Sequence, residues 1–189
     1  MDKHLNILSN EEISNDVTIL WSFQNKRAVH QLLTEGKLIG NWSHVFNSDK
    51  APYKWILSQM ELQGIQCNGN PPIWAFHSCD GYKNPPSVDT VRGLYGEGAQ
   101  EFHLIKFKCP NSLIMLTSYH GWCDIFFKLG ANPRSSITSD EQKYLFELYP
   151  ETDEEWECHD IQATIPYLKK EWVIEIIDLE KEWGYEYWK

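Results

Sequence analysis

Two rhythms of apolar and polar positions run along this chain. Period-two or continuous β-branched and aromatic stretches predict strands at Val17–Phe23, Ile73–His77, Phe102–Cys109, Leu113–Thr117, Ile161–Ile165 and Trp172–Ile177, with a short stub at Leu38-Ile39. Helical spacing appears between them. Ala28, Val29, Leu32 and Leu33 form one apolar face of a helix that Asn25 can cap and Gly36 can stop. Tyr53, Ile56, Leu57 and Met60 form another, beginning near Asp49 with Pro52 in its first turn and ending at Gly64. Ser139-Asp140-Glu141-Gln142 reads as a capping box opening a helix over 140–148. Residues 79–100 are rich in Gly and Pro and show no period, which predicts a long loop of the kind that carries function.

These elements predict one α+β domain over 17–179, preceded by a loose arm at 1–16 and followed by a tail at 180–189. There is no internal repeat and no low-complexity linker. The chain has 189 residues, 42% apolar and 23% charged, enough to bury a substantial core without staples. No apolar run reaches the roughly 20 residues of a membrane span, and the opening MDKHLNILSNEE does not read as a signal peptide, so a cytoplasmic protein is expected.

Charge sharpens this picture. Up to Thr138 the 12 acidic and 12 basic residues balance, whereas from Ser139 onward there are 15 acidic and 5 basic, so the net charge of −10 resides in the last quarter. A groove that tracks phosphates needs surplus Lys and Arg, and nonspecific nucleic-acid binding is disfavoured. The acidic quarter, with five carboxylates in 151–157, reads either as solvated surface or as a face for a basic protein partner. Five cysteines at 67, 79, 109, 123 and 158 include no C-x-x-C pair; reduced thiols and no metal site are expected. Nine tryptophans imply a Trp-rich core, with some left to stack flat ligands.

Three candidate constellations follow. Arg92-Gly93-Leu94-Tyr95-Gly96-Glu97-Gly98 sets three glycines beside an arginine, readable as an anion cradle or as a flexible turn. It matches neither the P-loop nor the dinucleotide fingerprint. At the end of the first strand, Ser22 and Gln24 share one side and Trp21 and Phe23 the other; the polar pair either contacts ligand or satisfies neighbouring backbone groups. His30 extends no apolar face and is expected at the surface.

Taken together, Leu20-Trp21-Ser22-Phe23-Gln24, Pro52-Tyr53-Lys54-Trp55-Ile56, Pro72-Ile73-Trp74-Ala75-Phe76 and the stretch 161–173 resemble an uncharacterised bacterial family catalogued as domain of unknown function 3841, over Val17 to Leu179. A second likeness is to the opening of ADP-ribosyltransferase-like families: a strand ending in aromatic residues, a helix, then Leu33-Thr34-Glu35-Gly36-Lys37-Leu38. That resemblance implies a mixed or split antiparallel sheet with a few flanking helices, and a cleft that takes NAD or a related nucleotide as substrate. It would give Tyr53, Trp55 or Trp74 the role of stacking the base or nicotinamide. Ser22 and Gln24 would hydrogen-bond the amide or ribose, Arg92 would take the pyrophosphate, and Gln162 would orient the acceptor. Ser22, Gln24 and Gln162 are accordingly expected in one cleft near Trp74. Where those families carry a late-strand glutamate this chain has Gln162 and Thr164, and Trp21-Ser22 replaces the first-strand histidine or arginine. An amide cannot serve as a general base. The other reading, from a different class, is a non-enzymatic interaction or inhibitor protein using the acidic, Trp-rich surface.

Overall fold

The computed structural model describes residues 16–150 and 159–182. Strand β1 (Val17–Asn25) runs down the middle of the molecule and pairs along its whole length with β4 (Phe102–Pro110), from Val17 opposite Pro110 to Asn25 opposite Phe102. Around this ladder lie β3 (Ile73–Ser78), β5 (Met115–Ser118), β6 (Ile161–Ile165) and β8 (Val173–Asp178), in the order β5-β6-β3-β1-β4-β8, with every neighbouring pair antiparallel. A separate ribbon joins β2 (Lys37–Ile39) to β7 (Tyr167–Lys169). The fold is α+β with an antiparallel sheet, as expected.

Local chemistry explains the helix ends. Asn25 Oδ1 accepts the Ala28 N–H at 2.8 Å to start α1 (Lys26–Glu35), and Gly36, at φ 77°, takes the left-handed conformation that closes it. Helix α2 (Lys50–Leu62) holds Pro52 in its first turn, where a missing N–H costs no helical bond. Helix α5 (Ser139–Phe146) is capped one residue earlier than the sequence suggested. Thr138 Oγ1 accepts the Glu141 N–H, and Glu141 Oε2 accepts the Thr138 N–H at 2.7 Å, a capping box shifted by one position.

The 79–100 segment corrects the expectation of an aperiodic loop. It holds α3 (Val88–Tyr95), whose start is a Ser87/Thr90 capping box, followed by a 3₁₀ turn over Gly96–Glu101. Thr replaces the usual Glu or Gln at the third helical position, and only Val91 is fully buried on so short a helix, so the apolar period is too brief to register. The glycines of 92–98 therefore sit in helix and 3₁₀ turn. Helix α4 (Tyr119–Ala131), to which the pattern assigned no element, starts from Ser118, whose hydroxyl accepts the Gly121 N–H, and buries Trp122, Ile125 and Leu129.

Three buried clusters divide the two sheet faces. One face carries Leu20, Ala75, Ile105, Phe107, Ala163 and Ile165 under Val29 and Leu32 of α1. The other carries two cores side by side. Ile56, Met60, Trp122, Ile125, Leu129 and Leu145 of α2, α4 and α5 cover the β5-β6-β3 half, while Val91, Ala99 and Leu179 cover Trp21, Phe23, Phe76 and Leu104. No buried residue belongs to both. Leu179 is the first residue of α6 (Leu179–Glu182). The acidic 151–157 stretch, Cys158, most of the N-terminal arm and the end of the tail lie outside the described residues. Among the described residues no helix is long and apolar enough to cross a membrane.

Two packing consequences can be measured. A Cβ on Gly121 would lie 2.8 Å from Leu145 Cα, backbone that cannot move aside cheaply where α4 meets α5, whereas Gly93 in α3 has nothing within 4 Å. Gly121→Ala is expected to lose about 1–3 kcal/mol in urea unfolding, and Gly93→Ala to gain about 0.5–1 kcal/mol from helix propensity.

Lys128 Nζ bonds both Glu141 oxygens, at 2.7 and 2.9 Å, and with the Thr138 N–H holds the Glu141 carboxyl down to about 2. Because the folded pKa is depressed, this contribution is complete above the ordinary value of 4.5 and is lost as pH falls toward 2. In a pH series of denaturation midpoints, Glu141→Gln should flatten the decline between those limits.

Candidate functional site

The register decides which predicted residues can meet. Trp21 lies opposite Phe76, Phe76 opposite Gln162, and Gln162 opposite Thr117, so these four side chains share one face of the sheet. Ser22 and Gln24 alternate to the other face. There the Ser22 hydroxyl donates to the Trp74 carbonyl at 2.6 Å and accepts from Gln24 Nε2 at 2.8 Å, with Ser22 fully buried. The expectation of one cleft shared by Ser22, Gln24 and Gln162 is corrected: strand alternation puts the sheet between them. Of the two readings of the Ser22–Gln24 pair, the geometry is that of backbone satisfaction.

On the aromatic face Tyr53 meets Trp74, and Gln162 shares that face beside Phe76. Trp21, Phe23, Trp74 and Phe76 pave two adjacent strands, and helices bring further rings over them. Tyr53 of α2 meets Trp74 edge-on at 5.6 Å, Tyr95 of α3 meets Phe23 at 5.5 Å, and Tyr119 of α4 lies 5.9 Å from Phe76. Trp74 also packs on Trp122 at 4.8 Å. Trp55 does not join this group; it packs against the α2–α4–α5 core. Arg92 sits on α3 with its guanidinium 3.3 Å from Asp89 Oδ1.

A cleft of about 380 Å³ opens on the second of these cores, between α3 and the start of α4. Phe76 and Tyr119 give it ring surface, Thr90 and Gly93 of α3 form one wall, and Asp80 and Asp160 lie along its other side. Asp160 Oδ1 accepts the Asp80 N–H at 3.0 Å, tying the end of β3 to the start of β6. Burial, reinforced by the neighbouring Asp80 charge, pushes the Asp160 carboxyl above its ordinary value despite that bond. Burial likewise pushes Tyr95 and Tyr119 up to about 12. These phenols stay protonated and act as donors near neutral pH.

Beside the cleft lies a polar anomaly. Among the described residues, four buried side-chain atoms have no hydrogen-bond partner, and three of them are Trp74 Nε1, Thr117 Oγ1 and Gln162 Oε1 on this face. Burial raises the Tyr53 phenol above its ordinary value and the nearby Trp74 indole N–H opposes that rise, yet the indole N–H makes no hydrogen bond. Gln162 is 7% exposed and Thr117 fully buried. A buried polar atom left unmet costs about 1–3 kcal/mol, so three at neighbouring positions are not explained by packing. The fourth, His103 Nδ1, lies on the other face across from Gln24.

Sequence reasoning missed Asp160, Thr117, Tyr95 and Tyr119. Asp160 had a signal, since it stands two residues before Gln162 and so on the same side of an extended strand. Tyr119 opens a helix that carried no assignment, and Thr117 becomes visible only through its pairing with Gln162.

If Gln162 is kept for a ligand and not for the fold, replacing it with an apolar residue of similar size removes an unmet carbonyl. Gln162→Leu is expected to leave stability unchanged or raise it by about 1 kcal/mol in urea unfolding. A loss of 2 kcal/mol or more would mean that the amide holds the sheet together.

Comparison with known proteins adds one positive finding. A family model described as a domain of unknown function, DUF3841, matches residues 19–155, most of the described sheet and its helices. The match ends before β6, so the resemblance seen at 161–173 lies outside it. Nothing among curated proteins or solved structures matches, and the ADP-ribosyltransferase-like resemblance is not shown. The chain, with its antiparallel sheet and aromatic-face cleft, therefore belongs to the DUF3841 family.

Proposed function

We propose that this protein binds a small planar ligand in the cleft between α3 and α4, against the aromatic face of the sheet. The observation that carries the reading is the gathering of Trp74 Nε1, Thr117 Oγ1 and Gln162 Oε1, all unpartnered, beside a ring-lined cleft. A donor and two oxygens at neighbouring strand positions suit a molecule with both donors and acceptors on one edge, as a carboxamide or nucleobase has. Stacking surface and a few convergent polar groups are what small-molecule sites generally combine.

This narrows the nucleotide reading to the nicotinamide or base end. Arg92, assigned to the pyrophosphate, is engaged by Asp89, and Asp80 and Asp160 would repel phosphates. A transferase step on NAD remains a second reading, because Asp160 supplies on this face the acid that Gln162 cannot. In that reading Asp160, with its raised pKa, acts as the base on an acceptor, and Asp160→Asn abolishes any NAD cleavage.

Thermal unfolding with nicotinamide, adenosine, guanosine and NAD tests the proposal. A ligand at 100 times its Kd stabilises by about 2.7 kcal/mol, a shift of several degrees. At least one compound is expected to produce it, and Gln162→Leu should abolish the shift while remaining folded. Indifference of the native protein to the whole panel would overturn the reading.

A further inference from the structure

Resting on the reading of the cleft as a ligand site, we infer that its ligand carries a flat cation, a guanidinium group, whether on a free small molecule or on an arginine side chain.

Three observations of different kinds support this. The first is charge. Among the described residues lining the cleft, three are aspartates and none is lysine or arginine. Arg92 partners Asp89, leaving Asp80 and Asp160, which are tied to each other through the Asp80 N–H and carry like charges. His120 and His159 draw the Asp160 carboxyl down, and burial and the Asp80 charge outweigh them. A cation between the two carboxylates relieves that repulsion.

The second observation is the ring surface. Phe76 and Tyr119 face the cleft at a centroid separation of 5.9 Å. A guanidinium stacks on such faces with little loss of its in-plane hydrogen bonds, whereas an ammonium is a strongly hydrated point charge that gives up more water on entering. The third is Gln162 Oε1, an acceptor on a side chain more than nine-tenths buried, one strand over from Phe76 and two residues along from Asp160. Its missing counterpart is a donor. A guanidinium has five N–H donors in one plane, enough to serve Asp160 with one edge and the Gln162 carbonyl with another.

The test is titration calorimetry of the full chain with agmatine, its urea isostere, which keeps the terminal ammonium and lacks the guanidinium charge, and a short peptide carrying one arginine. Agmatine or the peptide is expected to bind, with the urea isostere at least tenfold weaker. Asp160→Asn should weaken the cation about tenfold, and affinity should fall with added salt. Should Asp160→Asn fail to fold, Asp80→Asn gives the second measurement, since Asp80 holds Asp160 only through its backbone N–H and asparagine suits its φ of 52°, with a loss of severalfold expected. Preference for free agmatine places the guanidinium on a metabolite, and preference for the peptide places it on a protein partner. Equal binding of the urea isostere overturns the cation while leaving the ligand site standing. If the guanidinium compounds, nicotinamide and the nucleosides all fail to bind, the site itself is overturned.

Discussion

The pairing of β1 with β4 over nine residues, and of Trp21 with Phe76, is the constraint on which the rest of this molecule depends. Because side chains alternate along a strand, one register assigns every residue of six strands to a face. It sends Leu20 and Ser22 under α1, and Trp21 and Phe23 to the opposite layer, which also holds Trp74 and the cleft rings Phe76 and Tyr119. A slip of one residue in β1 would exchange those populations, turning Trp21 and Phe23 under α1 and Leu20 and Ser22 into the aromatic layer.

The asymmetry between the faces follows from their covers. The α1 face carries one continuous core, in which the Ser22 hydroxyl donates to the Trp74 carbonyl, and its one unmet buried atom, among the described residues, is His103 Nδ1 at the end of the β1–β4 ladder. The aromatic face is divided between α2, α4 and α5 on one half and α3 with the following 3₁₀ turn on the other. Gln162 and Thr117 belong to strands covered by the first group, while Phe76, directly beside Gln162, belongs to the second.

Much of this frame was legible in the chain. Asn25 and Gly36 bracket α1 as their side-chain chemistry requires, and β-branched residues mark the strands. Helices α3 and α4 were not legible, for different reasons. The first is capped by Ser87 and Thr90 and too short to show a period; the second begins directly at a strand end, without the break that usually separates elements. Those two helices make the cleft, so the site was less visible than the scaffold. Facing was hidden too. Gln162 and Ser22 each look like strand polar residues, and only the partner strands reveal that the sheet separates them.

The division of the aromatic layer also sets how the molecule opens. Two clusters that share a sheet but no buried side chain are joined through backbone hydrogen bonds and through α4, whose first residue, Tyr119, packs on Phe76 of the second cluster. Local fluctuations can therefore lift α3 from the sheet without disturbing α2, α4 and α5, giving the two halves different hydrogen-exchange lifetimes. A molecule lodged between α3 and the start of α4 would tie the two groups of helices into one cooperative unit, so occupancy would register far from the cleft, in the amides of the 3₁₀ turn and α6.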